Sequence, residues 1–140
     1  MCPSAALNAS VRTCRADFPP GVGAGCARRG IGFVRSVLAE WQPGAPPEAT
    51  ADALLVAAEL LSNAVVHGGG PQRLDLDLRE GCLRIRVTDG DPRPPVLRKH
   101  RPEAVHGHGL FVVDRLAVRW GSRPTGRGKT VWADLGPAAS

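Results

Sequence analysis

The chain has 140 residues, of which 43% are hydrophobic and 22% charged, and this composition predicts one globular domain over residues 1–140. Its net charge of +5 is carried almost wholly by arginine and is spread along the sequence, which permits phosphate or acidic protein partners. Few aromatic residues and no tyrosine are present, so the stacking surfaces of single-strand binders are poorly supplied and no direct nucleic-acid partner is expected.

The N-terminal part of the chain predicts a strand and then an amphipathic helix. Residues 1–10 are small and polar and are expected to fray, whereas residues 11–18 predict an edge strand. From Gly25 to Trp41 the apolar residues recur at three- and four-residue spacing, which predicts a helix with one buried face. The prolines of residues 42–47 end this helix because they remove backbone donors.

A second predicted helix carries the most informative polar pattern of the chain. It is expected to be capped by Thr50 or a near neighbour and to end at about His67, before three glycines. Glu59, Asn63 and His67 lie at successive i, i+4 positions and therefore share one face. The buried side is predicted on apolar residues at helical spacing roughly opposite: Leu54, Ala58, Leu61 and Val65.

The polar face of this helix has two interpretations when it is taken alone. A carboxylate and a carboxamide one turn apart suit a magnesium-nucleotide site, because Mg²⁺ takes few protein ligands beside phosphates and water. Glu59 could instead orient a nucleophile. The same pattern is also typical of a solvated helix face with a histidine near the negative end of the helix dipole.

The remaining elements predict an α+β fold. Residues 74–78 and 83–87 alternate apolar and polar side chains around a turn, which predicts a hairpin with one buried face. Residues 119–121 and 130–135 predict two further strands. No strand-helix-strand unit repeats, so we expect helices packed on one face of a mixed, mostly antiparallel sheet, in two layers.

Two glycine-containing segments add candidate ligand contacts. Asp89 and Gly90 follow the hairpin, where the carboxylate could accept the amino group of a base or simply form a turn. In the segment 107–110, Gly-His-Gly-Leu precedes an apolar run and predicts the start of a helix. The free amides of such a start point at phosphates, although a lone Gly-x-Gly is also a common turn.

A Gly-Lys-Thr tripeptide at residues 128–130 invites a P-loop interpretation that fails on spacing. A P-loop needs a glycine where this chain has Arg123, and it needs a following helix where residues 131–135 predict a strand. Thr130 is instead expected to line a nucleotide from a strand.

Neither a membrane span nor a metal scaffold is expected. No leader-like segment begins the chain and no stretch approaches the roughly 20 apolar residues of a membrane span, so we expect a soluble, cytoplasmic protein without a membrane partner. The four cysteines include no Cys-x-x-Cys pair, which argues against a zinc ribbon or a disulfide scaffold and predicts free thiols.

Taken in order, these segments resemble the ATP-binding superfamily of gyrase, histidine kinases and heat-shock chaperones. They are most similar to its small bacterial anti-sigma-factor serine/threonine kinase branch. Residues 59–67 resemble the N box, Asp89-Gly90 the first glycine box, residues 107–110 the second glycine box, and residues 128–132 the last strand. The resemblance covers most of the chain and implies a Bergerat-type ATP-binding fold.

The resemblance implies a role for each matching residue. Glu59 would be the catalytic general base, Asn63 would ligate Mg²⁺, and Asp89 would bind the amino group of adenine, with residues 91–106 as a lid. The implied cofactors are ATP and Mg²⁺. The residues implied to contact the nucleotide are Asn63, His67, Asp89, Gly90, Gly107, His108, Gly109, Leu110 and Thr130.

The resemblance also implies a function in the regulation of transcription. The protein would phosphorylate a small anti-anti-sigma-like protein and bind a sigma factor competitively, and a homodimer is compatible with this role. Asp91-Pro92 stands where many members carry a second glycine, and His108 replaces a more frequent basic or polar residue. A non-catalytic nucleotide-binding module that sequesters a protein partner is the alternative, and it would not depend on the Glu59 carboxylate.

Overall fold

The computed structural model describes residues 11–20, 25–95 and 109–136, so the expectations for residues 1–10, Gly107, His108 and most of the lid lie outside it. The described residues form three helices and one five-stranded sheet. In chain order the elements are β1 (Val11–Asp17), α1 (Gly25–Trp41), α2 (Pro47–His67), β2 (Pro71–Arg79), β3 (Cys82–Asp89), α3 (Gly109–Leu116), β4 (Arg119–Thr125) and β5 (Gly128–Leu135).

The sheet has the order β1-β2-β3-β5-β4, and every pair of neighbouring strands among the described residues is antiparallel. This arrangement confirms the predicted α+β fold with a mostly antiparallel sheet. β1 and β4 are the two edges. The β1 edge carries Arg12 and Arg15, and the β4 edge carries Arg123 and Pro124.

The core lies between one face of the sheet and the helices. Alternate residues of β2, β3 and β5 point to this face, as the period-two pattern of the sequence predicts. Burying one leucine or isoleucine of this kind stabilises the fold by about 1.5–3 kcal/mol. The fully buried side chains of the core include Val34, Val56, Leu60, Leu61, Leu74, Leu76, Ile85, Val87 and Val131.

α2 begins three residues earlier than the predicted cap at Thr50. Pro46 adopts an extended conformation with φ −59° and ψ 145°, and Pro47 takes the first turn without a side-chain cap. A proline fits there because its missing N–H has no intrahelical partner in any helix. Thr50 therefore lies inside the helix.

The buried stripe of α2 is also rotated from the predicted one. Its members are Ala53, Val56, Ala57, Leu60, Leu61 and Ala64. Of the predicted stripe only Leu61 is buried, whereas Leu54, Ala58 and Val65 are half-buried. α2 contacts both α1 and α3. The sequence of a helix that is apolar on most sides does not by itself determine which side is buried, so the rotation of α2 about its axis depends on these neighbours.

Two expectations about composition need correction. α2 is long and apolar enough to cross a membrane by length and composition, with a mean hydropathy of 1.5 in its most apolar window. In this fold it packs on the sheet as the central helix, and core helices of soluble domains pass the same test. The expectation of free thiols was wrong for Cys82, which is disulfide-bonded, whereas Cys14 carries a free thiol.

The outer face of the sheet carries paired arginines and aspartates. Asp134 is fully buried and accepts from Arg84 Nε at 2.6 Å and from Arg119 Nε at 3.2 Å. Burial alone would raise the pKa of the Asp134 carboxyl, but the hydrogen bonds and charges of the two guanidinium groups outweigh it and lower that pKa. The guanidinium of Arg84 also stacks on Trp132, 4.5 Å from the ring centroid.

Candidate functional site

The polar face of α2 forms one wall of the candidate site. Glu59 and Asn63 are half-buried, one turn apart, and His67 is exposed at the last position of the helix. Asn63 Oδ1 is buried without a hydrogen-bond partner among the described residues. Leaving such an acceptor unpaired costs about 1–3 kcal/mol, so this position favours the binding of a ligand or an ion that pairs with the oxygen. A hard cation such as Mg²⁺ fits this oxygen.

Three glycines carry the chain from this wall into the sheet. Gly68 N and Gly70 N donate to Ala64 O at 2.9 and 2.8 Å, which satisfies a carbonyl at the end of α2. Gly69 and Gly70 have φ of +76° and +104°, which other residues rarely adopt. The tight reversal places Gly68 beside the end of β3.

Asp89, the last residue of β3, is 1% exposed and is enclosed by two glycines. A Cβ at Gly68 would overlap the Asp89 carboxylate, and a Cβ at Gly128 would overlap its backbone carbonyl. Both positions therefore need glycine for the close approach of the chain. The adenine-binding candidate is thus joined to the end of α2 and to the start of β5.

Lys129 is the residue that sequence reasoning missed. Its side chain is 3% exposed, and Nζ donates to Asp89 Oδ1 and to the carbonyl of Asp91, each at 3.1 Å. Nζ also lies 3.0 Å from Asp89 Oδ2, yet Oδ2 has no hydrogen-bond partner among the described residues. As far as the described residues go, Asp89 Oδ2 can therefore accept a further hydrogen bond.

Thr130 lies apart from Asp89. Its hydroxyl is 2.9 Å from the hydroxyl of Thr88, and both side chains are buried. In the register of β3 and β5, Thr88 pairs with Thr130, and Asp89 pairs with Lys129. Because successive strand residues point to opposite faces, the threonine pair is on the outer face and the Asp89-Lys129 pair is on the helix side. The structure brings Lys129, and not Thr130, to Asp89.

Asp91 orders the chain that leads into the predicted lid. Its N–H donates to Asp89 Oδ1 at 2.9 Å, and its own carboxylate accepts from the backbone N–H of Arg93, also at 2.9 Å. The side chain of Arg93 pairs with the same carboxylate, and this hydrogen bonding holds the pKa of the Asp91 carboxyl well below its usual range. Asp91, in the Asp91-Pro92 pair that stands where many members of the resembling superfamily carry a second glycine, therefore forms a defined turn. Gly90, between the two aspartates, is exposed.

α3 packs beside α2. It begins at Gly109, and Leu110 is buried. Trp120 Nε1 donates to Asp114 Oδ1 at 2.9 Å, which fixes α3 to β4. The N-terminus of a helix offers unpaired backbone N–H groups to an anion. Gly109 and Leu110 supply such N–H groups at the start of α3.

Within the part of the chain that the structure describes, no three His, Cys, Asp or Glu side chains come together as a metal cluster. The donor set of the site is a carboxamide oxygen, a carboxylate and helix amides. These groups suit a cation that is shared with the phosphates of a nucleotide.

Known proteins resemble this chain in sequence family and in fold. The family model for the histidine kinase-like ATPase domain matches residues 29–135. The crystal structure of the RsbU and RsbW domains of Rv1364c from Mycobacterium tuberculosis is similar, with a TM-score of 0.65 and 20% identity, over 89% of this chain and 32% of that chain. At this identity the likeness shows the fold, and this chain spans only 32% of the length of that protein chain. Among curated proteins, none matches the sequence.

Proposed function

Because the chain belongs to the histidine kinase-like ATPase domain family, we propose that it binds ATP with Mg²⁺ and acts as a serine/threonine protein kinase in a partner-switching regulatory system. The observation that carries the proposal is a pair of buried oxygens, Asn63 Oδ1 and Asp89 Oδ2, that accept no hydrogen bond within residues 11–20, 25–95 and 109–136. Asn63 is on α2, and Asp89 ends the strand that the C-terminal end of α2 touches at Gly68, which supports a single site that includes both. A nucleotide and its cation satisfy both.

Each end of the nucleotide has a matching group in the site. Asp89 Oδ2 accepts the amino group of adenine, while the amides at the start of α3 bind phosphate oxygens. Asn63 Oδ1 ligates Mg²⁺, and His67 and Gly90 flank the nucleotide. When bound, Mg²⁺ supplies positive charge that neutralises the phosphate oxygens during transfer.

Glu59 is the proposed catalytic residue. Its carboxylate lies one helical turn from Asn63, on the same face of α2, and so stands beside the cation position. There it accepts the proton of a serine hydroxyl and orients the hydroxyl for in-line attack on the γ-phosphorus. The γ-phosphoryl group moves to the serine oxygen, and ADP leaves.

The proposed substrate is a small anti-anti-sigma-like protein, and the proposed competing partner is a sigma factor, both in the cytoplasm. Support comes from the motif resemblance to the anti-sigma-factor kinase branch. The fold shared with a structure of RsbU and RsbW domains is compatible with it. A homodimer is part of the proposal.

One observation favours the alternative of a non-catalytic nucleotide-binding module. The Asp91-Arg93 turn fixes the chain directly after Asp89, where a second glycine would leave it free to move. When the first residues of the lid are fixed, the lid closes less readily over the γ-phosphate, whereas binding of the base is unaffected.

The kinase and the non-catalytic module are distinguished by the rate of γ-phosphate transfer in the Glu59→Gln variant. The affinity of the same variant for ATP is measured by calorimetry in parallel. Anti-anti-sigma-like proteins serve as acceptors, and Glu48→Gln, an exposed carboxylate in the first turn of α2, is the matched control. We expect Glu59→Gln to lose about 10²–10⁴-fold in transfer rate with ATP affinity retained. Equal transfer by the variant contradicts the kinase, and no ATP binding by the wild type contradicts the nucleotide site.

A further inference from the structure

The ammonium group of Lys129 is buried in the proposed base site, and no motif of the sequence gives it a role. We propose that Lys129 is a specificity-determining residue that donates a hydrogen bond to the ring nitrogen beside the amino group of adenine. The inference rests on the proposed function, because it concerns the base of the same nucleotide.

The hydrogen bonds of Lys129 and Asp89 carry the proposal. An ammonium group has three N–H donors, and among the described residues Lys129 donates to Asp89 Oδ1 and to the carbonyl of Asp91. Asp89 Oδ1 accepts from Lys129 and from the N–H of Asp91, whereas Oδ2 accepts no hydrogen bond within the described residues. The ammonium group of Lys129 thus forms an ion pair beside this acceptor, with Nζ and Oδ2 3.0 Å apart, so a base whose amino group reaches Oδ2 brings its neighbouring ring nitrogen to Nζ.

Adenine presents the complementary pair on its outer edge. Its amino group offers an N–H donor, and the adjacent ring nitrogen is an acceptor. Guanine presents two adjacent N–H donors beside one acceptor, so it needs both carboxylate oxygens of Asp89. Because Oδ1 is already engaged twice, guanine leaves one donor unpaired, and sites of this kind strongly reject a ligand with an unpaired polar group.

The surrounding backbone keeps Lys129 in place. Gly128 packs directly on the carbonyl of Asp89, and Lys129 pairs with Asp89 in the register of β3 and β5. A buried ammonium is costly unless it is paired, and here it is paired on two oxygens. The position of Nζ beside Asp89 is therefore held by these contacts before a base binds.

The test compares the affinity of the protein for ATP and for 1-deaza-ATP, in which a C–H replaces that ring nitrogen, by calorimetry with Mg²⁺. We expect the wild type to bind ATP about tenfold or more tightly than 1-deaza-ATP, since a hydrogen bond to a charged donor is lost. Lys129→Met is expected to bind both ligands equally. Arg127→Met, which removes an exposed positive charge from the same turn, is expected to keep the wild-type preference.

Lys129→Met leaves Asp89 without its cation, so Lys129→Gln, which keeps a neutral donor, is measured beside it, and circular dichroism reports whether each is folded. The comparison of two ligands on one protein is independent of how many molecules are folded. Equal binding of ATP and 1-deaza-ATP by the wild type overturns the inference and leaves the proposed function standing. Equal binding of GTP and ATP by the wild type also overturns it, whereas no binding of either nucleotide overturns the proposed function.

Discussion

Gly68 lies directly against the carboxylate of Asp89, so the residue that ends α2 touches the residue that ends β3. No side chain separates the helix that carries Glu59 and Asn63 from the strand that carries the proposed base acceptor. The close approach of the two proposed ends of the site therefore requires that residue 68 has no Cβ atom.

Gly68→Ala should damage this junction. The new methyl group overlaps Asp89 Oδ2, so we expect ATP affinity to fall about tenfold or more and the free energy of unfolding to fall by about 1–3 kcal/mol. Calorimetry with ATP and urea denaturation measure the two effects. The matched control is Gly32→Ala in α1, where a Cβ meets no atom within 4 Å, and there we expect stabilisation of up to about 1 kcal/mol. Unchanged ATP affinity in Gly68→Ala would contradict the placement of the base at Asp89.

Asn63→Ala is expected to separate binding from stability. The variant should lose the magnesium-dependent part of ATP affinity because its ligating oxygen is gone. It should also raise the free energy of unfolding of the ligand-free protein by about 1 kcal/mol, since it removes a buried acceptor that has no partner among the described residues and improves helix propensity. Titrations with and without Mg²⁺ and urea denaturation measure this, with Ser62→Ala as the control. A large loss of stability would mean that Asn63 has a structural role instead.

The Asp134 cluster on the outer face predicts a dependence of stability on pH. The folded-state pKa of Asp134 is lowered, so its stabilising effect is present above the pKa of the unfolded state. That effect is lost as the pH falls through the folded-state value, at pH below about 4. We expect the pH dependence of the unfolding free energy to be shallower in Asp134→Asn below that pH, measured by urea denaturation. An identical slope in both proteins would show that other carboxyl groups dominate.

The buried Asp89-Lys129 pair predicts a strong coupling in stability. Lys129→Met leaves a buried carboxylate unpaired, which should cost about 3–5 kcal/mol of unfolding free energy. In Asp89→Asn with Lys129→Met no charge remains, so the double variant should be more stable than the single one. A double-mutant cycle by urea denaturation gives the coupling energy. Additive effects of the two substitutions would contradict a direct pairing.

The sequence predicted the elements of this fold well because its breaks are chemically unambiguous. α1 has the predicted bounds, since prolines close it and apolar spacing marks its face. The phase of α2 was not predictable, because a nearly uniform apolar helix takes its buried side from its neighbours. The start of α2 was missed because Pro47 was taken as part of the linker, although proline suits a first helical turn.

Lys129 was missed although a signal for it exists in the sequence. Val131 and Val87 are core residues, and strand alternation places Lys129 and Asp89, each two positions away, on the same face. The Gly-Lys-Thr similarity drew attention to Thr130, which the same parity assigns to the outer face. What the sequence alone does not provide is the register of β3 and β5, because strands distant along the chain pair through tertiary contacts.

The two edges of the sheet bear on how the protein behaves at high concentration. An exposed edge strand is a template for another chain, and repeated addition leads to fibrils or swapped dimers. Here the β1 edge carries Arg12 and Arg15, and the β4 edge carries Arg123 and Pro124. Arginine side chains on the first edge, and an arginine with a proline that lacks a backbone donor on the second, oppose the addition of another strand, so aggregation through either edge of the described sheet is disfavoured.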